Sequence, residues 1–235
     1  MSIYVIGDLH LSFSTDKPMD IFGKIWENHS EKVKQNWIKK VTENDTVILP
    51  GDFSWATYLE NTYNDFEYLN SLPGKKIMLK GNHDYWWSTL AKMNKYLKEN
   101  NFENIEFLCN NSFCIEDKII VGTRGWINTN LKSEENKKIL KRENARLKLS
   151  IEDGIKKFGE NKDIIAFLHY PPFYKENVVE EMDFIKTLKK YNVKKCYYGH
   201  LHGESHREAI EGLVDGIEYK LVSSDYMNFE LLKID

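Results

Sequence analysis

The chain has 235 residues, of which 41% are hydrophobic and 29% charged, and its formal net charge at pH 7 is −3. This length allows one substantial hydrophobic core, and the small negative charge disfavours a protein that binds nucleic acid through bulk positive charge. The chain has 3 cysteines, whose irregular spacing disfavours a disulfide framework or a zinc ribbon, so we interpret them as reduced thiols.

The N-terminal residues lack the basic and apolar stretches of a signal peptide. No apolar run approaches the roughly 20 residues of a membrane-spanning helix. We therefore expect a cytoplasmic protein that does not associate with membranes. No Pro-, Gly- or Ser-rich linker divides the chain, which predicts a single domain over residues 1–235.

Short apolar runs rich in β-forming residues end in polar turns that contain glycine or proline. In chain order these runs cover residues 3–6, 46–49, 76–79, 119–121, 164–168 and 196–198. Runs of this kind are typical of buried β-strands. Between them, apolar residues recur at helical spacing over residues 22–37, 140–158 and 178–188, which predicts amphipathic helices.

The alternation of strands and helices predicts an α/β fold with largely parallel strands. From about Ser205 the pattern changes to strand, turn at Gly216, strand, turn at residues 223–225 and strand, which predicts a C-terminal antiparallel β meander. In open α/β sheets, functional sites form at the carboxyl ends of the strands. Because the polar turns follow those ends, residues far apart in the sequence are expected to converge on one crevice.

Side chains that can bind metal ions follow the predicted strands: Asp8, His10, Asp52, Asn82, His169, His200 and His202. Asp8 and His10 are two positions apart, a spacing at which side chains of an extended segment point the same way. Asp52 and Asn82 each follow a glycine, which would let the backbone turn sharply and present the next side chain. Any one of these residues fits an ordinary core or surface role, but their joint placement at strand ends indicates a metal centre.

These residues form five motifs in a fixed order. The motifs are Asp8-Leu9-His10, Gly51-Asp52, Gly81-Asn82-His83-Asp84, His169 and Gly199-His200-Leu201-His202. In this order they resemble the motifs of the calcineurin-like metallophosphoesterase superfamily, and the resemblance extends from residue 8 to residue 202. It implies the fold of that superfamily, a two-sheet α/β/β/α sandwich, and a metal-dependent phosphoesterase activity.

The resemblance also implies two divalent ions that share Asp52. The first ion would be bound by Asp8, His10, Asp52 and His202, and the second by Asp52, Asn82, His169 and His200. Mixed imidazole and carboxylate ligation suits Mn²⁺, Fe or Zn²⁺, with Mg²⁺ as a further candidate. With only two anionic ligands the ions leave a formal charge of about +2, which favours an anionic phosphoester. A bridging hydroxide would attack phosphorus in line with the leaving oxygen.

The resemblance makes His83 the general acid that protonates the leaving group. Asp84 either orients the ring of His83 or only holds the loop, and we prefer the loop role. The serine/threonine protein phosphatase branch carries a phosphate-binding arginine soon after the second motif, where this chain has Phe53-Ser54-Trp55. The protein phosphatase interpretation is therefore disfavoured.

Four further residues are candidates for contacts with a substrate: Arg124, Trp55, Trp87 and Trp126. Arg124 lies between two glycines after a predicted strand, where it could bind phosphate through a forked pair of hydrogen bonds or could be a surface residue of a turn. The tryptophans follow the motif loops. Their faces could stack on a base or cover another substrate group, or could simply pack between loops.

The expected function is hydrolysis of phosphodiester or phosphomonoester bonds in a small phosphoester or a nucleotide, with phosphodiesters favoured. One alternative is a non-catalytic protein of the same fold, which the complete set of ligands and the acid disfavour. The other alternative is a nuclease. Its support is the basic stretch 137–148, which is also typical of a solvated helix face, so a nucleic-acid partner is possible but not favoured.

Overall fold

A computed structural model of the chain describes residues 1–127, 133–175, 177 and 182–234. The strands are β1 (Ile3–Val5), β2 (Thr46–Pro50), β3 (Lys75–Leu79), β4 (Ile105–Phe107), β5 (Phe113–Ile115), β6 (Lys118–Thr123), β7 (Asp163–Leu168), β8 (Lys195–Tyr198), β9 (Gly212–Val214), β10 (Ile217–Leu221) and β11 (Leu232–Ile234). The α-helices are α1 (His29–Lys40), α2 (Tyr63–Ser71), α3 (Leu90–Glu99), α4 (Glu134–Phe158) and α5 (Asp183–Lys190).

The strands form two mixed sheets, each with a parallel centre. In the first sheet, ordered β11-β1-β2-β3-β4, strands β1 to β4 run parallel and β11 is antiparallel to β1. In the second sheet, ordered β5-β6-β7-β8-β10-β9, the four inner strands run parallel while β5 and β9 are antiparallel at the edges. These sheets and their helices confirm the predicted α/β fold class.

The chain folds as two compact units, each built on one sheet. The first unit comprises Met1–Phe107 and the C-terminal segment from Val222, and the second unit comprises Leu108–Leu221. Each unit is described below by itself. The single domain expected from the sequence over residues 1–235 stays a prediction.

The core of the first unit fixes the strands from which the candidate loops emerge. Val33 and Trp37 are four residues apart on α1 and are fully buried, as the amphipathic pattern predicts. The indole N–H of Trp37 donates to the carbonyl of Pro73 at 2.9 Å, so the polar edge of this ring is also satisfied. Burying a side chain such as that of Val33 contributes roughly 1.5–3 kcal/mol. The carboxyl ends of β1, β2 and β3 are thereby held on a rigid base.

In the second unit α4 packs closely on β6. Leu147 and Ile151 of α4 are fully buried. A Cβ on Gly154 would lie 2.5 Å from Cγ2 of Ile119, so only glycine permits this approach of helix and strand. The hydroxyl of Ser150 accepts a hydrogen bond from the N–H of Gly122 at 3.0 Å and donates to the carbonyl of Asn111 at 2.6 Å. These contacts position the end of β6, where Arg124 follows.

The predicted helices differ in extent from the patterns that suggested them, and the one expected over residues 140–158 is longer, since α4 begins at Glu134. The helix expected over residues 22–37 begins only at His29, because Asn28 adopts a left-handed φ of 53° and short 3₁₀ helices precede it. Phe22 and Ile25 are consequently exposed. The helix expected over 178–188 is observed as α5, and Val178 lies outside the described residues.

The C-terminal region is antiparallel in part only. Strands β9 and β10 form the expected hairpin, whose turn residues Asp215 and Gly216 have positive φ. The prediction of a continuing meander was wrong for the last strand, since β11 pairs with β1 of the first sheet. The reason is a pair of backbone hydrogen bonds beside β1, from Gly7 N–H to the Val222 carbonyl at 2.7 Å and from Ser224 N–H to the Gly7 carbonyl at 3.0 Å.

Among the described residues, no helix has both the length and the apolar character needed to cross a membrane. The localisation expected from the sequence stays a prediction.

Candidate metal centre

The loops after β1 and β2 lie side by side in the first unit. The N–H of Asp8 donates to the Gly51 carbonyl at 3.1 Å, and the N–H of His10 donates to the Asp52 carbonyl at 2.9 Å. The hydroxyl of Ser224 donates to the carbonyl of Asp8 at 2.7 Å. This ladder extends the pairing of the two strands and brings their candidate ligands together.

Three of the predicted ligands converge in the first unit. Ligand atoms of Asp8 lie within 4.8 Å of one of His10 and of one of Asp52. Nε2 of His10 is 3.8 Å from Oδ2 of Asp52. Two donors that each lie about 2.1 Å from one ion can be up to about 4.2 Å apart, so this pair fits a common divalent cation. All three residues are buried.

Several predicted ligands lie in backbone conformations that L-residues seldom adopt. φ is 57° at Asp8, 46° at His10, 50° at Asp52 and 76° at His200. Non-glycine residues with positive φ cost free energy and cluster at functional sites, where the surrounding contacts hold them in place. Other non-glycine residues with positive φ lie outside the motifs, but these four place strained backbone at predicted ligands in both units.

Asp84 is the acceptor that holds the loops of the first unit. Its fully buried carboxylate accepts hydrogen bonds from the backbone N–H groups of Asp52 (2.9 Å), Phe53 (2.9 Å), Ser54 (3.3 Å) and Gly81 (2.7 Å) and from the indole of Trp86 (3.0 Å). Burial raises the pKa of Asp84, and these hydrogen bonds oppose that effect. Because the donors belong to the loops after β2 and β3, Asp84 ties the two loops together.

Gly81 is required for its lack of a side chain. A Cβ at this position would lie 2.0 Å from Oδ1 and 2.2 Å from the backbone nitrogen of Asp52. The sequence suggested a sharp turn at Gly81, but its φ is not positive, whereas Gly51 has a φ of 92°. Oδ1 of Asp52 also accepts the N–H of His83 at 2.8 Å. Asn82, between these residues, is half-buried.

The three candidate tryptophans lie in different surroundings. The ring of Trp55 stacks on His10 with a centroid separation of 5.0 Å and lies 4.4 Å from the ring of His83. Its indole N–H reaches Sδ of Met19 at 3.1 Å. Trp87 instead packs against Trp86 and Phe107 at the edge of the core. Of the two, Trp55 is therefore the one in contact with a candidate ligand and the candidate acid.

In the second unit the loops after β7 and β8 carry the three remaining histidines that are predicted ligands, His169, His200 and His202. The carbonyl of buried His169 accepts the N–H of Gly199 at 3.1 Å. At His200 the N–H of Leu201 donates to the carbonyl of Gly199 at 3.0 Å, which with the positive φ describes a strained γ-turn. The ring centroids of His169 and His200 are 5.1 Å apart.

His202 is held by a local turn of the second unit. Its N–H donates to the hydroxyl of Ser205 at 2.8 Å, and that hydroxyl donates to the carbonyl of His202 at 2.7 Å. A nitrogen of His206 lies within 4.8 Å of one of His202. His206 is not part of the sequence motifs.

Arg124 and Trp126 follow β6 in the second unit. The carbonyl of Arg124 accepts the N–H groups of His169 at 3.1 Å and Tyr170 at 2.9 Å. Its guanidinium lies 4.7 Å from the centroid of the Trp126 ring. The ring centroids of Trp126 and Tyr170 are 5.5 Å apart. Burial lowers the pKa of Arg124, which nearby Glu143 opposes. Both candidates thus adjoin the loop of a predicted ligand.

Sequence reasoning missed several residues that support these loops. Tyr170 lies with its ring centroid 4.2 Å from that of His200, and Ser224 holds Asp8 from the far end of the chain. Asp65 accepts the hydroxyl of Ser54 and, at 2.9 Å, the N–H of Phe13. Tyr170 could have been found from its position beside His169. The sequence around Ser224 and Asp65 carries no pattern that predicts these contacts.

Comparisons with known proteins point to one family. A model of the family described as Calcineurin-like phosphoesterase matches residues 1–204. No curated protein matches the chain.

Solved structures share the fold across nearly the whole chain. A protein of unknown function from Aquifex aeolicus is 16% identical, with a TM-score of 0.53 over 99% of this chain and 95% of that one. Phosphopantetheinyl hydrolase (PptH) from Mycobacterium tuberculosis is 13% identical, with a TM-score of 0.58 over 99% and 95% of the two chains. A Thermus thermophilus protein is 13% identical, with a TM-score of 0.56 over 99% and 97%. At these identities the likeness shows the fold alone.

Proposed function

Because the chain belongs to the calcineurin-like phosphoesterase family, we propose that it is a metal-dependent phosphoesterase that hydrolyses phosphodiester or phosphomonoester bonds. The observation that carries this proposal is the convergence of Asp8, His10 and Asp52 in the first unit. Three buried donors in strained backbone conformations are expected where the free energy of ion binding offsets the strain.

We propose two ion sites that share Asp52. Asp8, His10, Asp52 and His202 would hold the first ion, and Asp52, Asn82, His169 and His200 the second. In the second unit, the 5.1 Å between the ring centroids of His169 and His200 suits two imidazoles that face one ion. Imidazole and carboxylate donors favour Mn²⁺, Fe or Zn²⁺. When bound, the ions would supply Lewis acidity and an activated water for in-line attack.

His83 is the proposed general acid. Its backbone N–H is anchored on the carboxylate of Asp52 at 2.8 Å, and its half-buried ring lies against Trp55. The backbone of His83 is thereby fixed beside a proposed ligand. A ring held in this way can give a proton to the leaving oxygen as the bond to phosphorus breaks.

Asp84 is proposed as a positioning residue. Its carboxylate oxygens accept five hydrogen bonds from the loops and from Trp86. These contacts support the loop role over a role in orienting the ring of His83. Its contribution to the reaction would be to hold Asp52 and His83 at a fixed separation.

The test is hydrolysis of bis-p-nitrophenyl phosphate and p-nitrophenyl phosphate by the Mn²⁺-loaded protein, with the bound metal measured in the same sample. We expect metal-dependent turnover of at least one substrate. In His83→Ala, kcat should fall about 10²-fold or more on an alkyl phosphoester and less on p-nitrophenyl esters, whose leaving group needs little protonation. Absence of turnover with metal confirmed bound would contradict the proposal and favour the non-catalytic alternative.

A further inference from the structure

Three arginines of the second unit surround one buried carboxylate. Glu143, in the middle of α4, is fully buried, and its oxygens accept the hydroxyl of Thr123 and the guanidinium of Arg146, each at 2.8 Å. Nε of Arg142 lies 3.5 Å and Nη2 of Arg124 lies 3.7 Å from Oε1 of the same glutamate. We call these residues the arginine cluster: Arg124, Arg142 and Arg146 around Glu143.

The arginine cluster carries more positive charge than Glu143 requires. A buried carboxylate needs partners, and Thr123 and Arg146 already provide a short hydrogen bond to each of its oxygens. Arg124 and Arg142 add two further formal charges at longer distances, so three arginines and one glutamate leave about +2. Arg142 and Arg146 are 55% and 43% exposed, so water screens their charges, whereas Arg124 is 15% exposed and its charge would gain most from an external anion.

Arg124 has donor capacity that the described residues do not use. Its Nε is buried and has no hydrogen-bond partner among them. The Nη2 atom is 3.7 Å from Glu143, which exceeds a strong hydrogen bond, and the guanidinium rests on the face of Trp126. Trp126 is itself fixed through its indole N–H, which donates to Asn136 at 3.0 Å. The fork of Arg124 is thus held in place with donors left over.

The arginine cluster adjoins a proposed metal ligand within the same unit. The carbonyl of Arg124 accepts the N–H groups of His169 and Tyr170. Thr123 and Leu168 are paired at the ends of β6 and β7, and neighbouring strands lie about 4.8 Å apart. The arginine cluster therefore begins one strand away from His169, at the end of the sheet where sites form.

We propose that the arginine cluster is a subsite for a second anionic group of the substrate. The inference rests on the proposed phosphoesterase function and narrows it to phosphoesters that carry a further phosphate or carboxylate. Guanidinium groups bind phosphate through paired, charge-assisted hydrogen bonds, and the fixed fork of Arg124 suits this geometry. Arg142 and Arg146 lie four residues apart on one face of α4, so they can approach the same group.

Binding to the metal-free protein tests the subsite without any catalysis. Isothermal titration calorimetry would compare adenosine 3′,5′-bisphosphate with adenosine monophosphate. The bisphosphate should bind more tightly, and Arg124→Ala and Arg142→Ala should each weaken its binding about tenfold, as expected for a charge-assisted contact. The matched control is Lys148→Ala, which removes an exposed charge from the same helix. Equal binding by wild type and both arginine variants would overturn the proposal.

Arg146 is left in place in these variants, because its loss would leave Glu143 short of a partner inside the protein. A thermal unfolding curve for each variant separates lost binding from lost folding. An alternative outcome is that a short single-stranded oligonucleotide binds more tightly than the bisphosphate, with Lys148→Ala weakening its binding as much as Arg142→Ala; the basic stretch 137–148 would then contact nucleic acid. That outcome would also overturn a local subsite for a small substrate.

Kinetics distinguish failure of the subsite from failure of the proposed function. The ratio of kcat/KM for the bisphosphate to that for p-nitrophenyl phosphate, which has one anionic group, should fall about tenfold in Arg142→Ala. An unchanged ratio with active enzyme would reject the subsite and leave the phosphoesterase intact. Inactivity of the metal-loaded wild type on both compounds and on bis-p-nitrophenyl phosphate would reject the proposed function, while the binding experiment would still decide whether the arginine cluster binds an anion.

Discussion

The two units hold their candidate loops by different means. In the first unit a buried carboxylate, Asp84, gathers backbone N–H groups from two loops, and Asp65 ties Ser54 to Phe13 nearby. In the second unit the ring of Tyr170 packs on His200, whose γ-turn is closed by a single backbone hydrogen bond. Both solutions support left-handed residues. The loops of the first unit are held by carboxylates, so we expect their positions to depend on pH and on removal of those charges. The loops of the second unit are held by packing, so we expect them to depend on side-chain volume.

The largest effect is expected from the proposed bridging ligand of the first unit. Asp52→Asn keeps the size of the side chain and removes its charge. We expect kcat/KM to fall beyond the roughly 100-fold typical of a lost supporting partner, and bound Mn²⁺ to fall with it. Steady-state kinetics measure kcat/KM, and metal analysis measures bound Mn²⁺. Asp117→Asn, at a side chain that is 71% exposed, is the matched control. A rate within tenfold of wild type at full metal content would contradict the shared role of Asp52.

Substitution of one closely packed glycine in each unit compares what the packing does there. Gly81→Ala places a methyl group against the backbone and carboxylate of Asp52, so the loop must move. Because a displacement of about 1 Å can cost 10²-fold in rate, we expect a loss of that size together with weaker metal binding. Gly154→Ala pushes on Ile119 in the second unit and should cost about 1–3 kcal/mol of unfolding free energy.

Urea unfolding and metal titration of both glycine variants check this contrast. The expected pattern is that Gly81→Ala impairs metal binding more than Gly154→Ala does. Indistinguishable metal affinities for the two variants would show that the approach of Gly81 to Asp52 does not position the ligand.

The carboxylate network of the first unit should make stability depend on pH. Burial raises the pKa of Asp65 from 3.8 to about 6. The folded state therefore holds this proton more firmly than the unfolded state. Its stabilising contribution is complete below about pH 4 and is lost as pH rises through about 6, amounting to at most about 3 kcal/mol. Asp65→Asn should flatten that decline.

Urea unfolding of wild type and Asp65→Asn between about pH 4 and pH 7 measures this effect. Contributions from other carboxyl groups occur in both proteins and cancel in the difference. Parallel pH profiles for the two proteins would mean that Asp65 titrates alike in the folded and unfolded states.

The smallest effect is expected from the tryptophans. Trp55→Leu removes the ring that packs on both His10 and His83, and ring pairs contribute about 0.5–1.5 kcal/mol each, so kcat/KM should fall about tenfold. Trp87→Leu should act mainly on the free energy of unfolding, because Trp87 packs on Trp86 and Phe107. Steady-state kinetics and urea unfolding of both variants measure these effects. A larger loss of kcat/KM in Trp87→Leu than in Trp55→Leu would contradict the prediction.

Much of the fold could be predicted because apolar runs and helical spacing are local signals. The strands after which the candidate ligands lie were placed at the right positions. The last strand could not be placed, because its pairing with β1 depends on hydrogen bonds that Gly7 makes with residues more than 200 positions away. The start of α1 was also missed, since the left-handed turn at Asn28 breaks an otherwise continuous apolar pattern.

The sequence by itself determined which chemical groups follow the strands, because ligand identity and motif order are written in short segments. The family match over residues 1–204 agrees with that reading. Only the tertiary structure decided how those groups are held. The hydrogen bonds from the N–H groups of residues 52–54 to Asp84, the close approach of Gly81 to Asp52 and the hydrogen bond from Ser224 to the carbonyl of Asp8 join residues that are distant in the chain. Likewise Glu143, one acid in a basic stretch of sequence, became the centre of the arginine cluster only when α4 packed on β6.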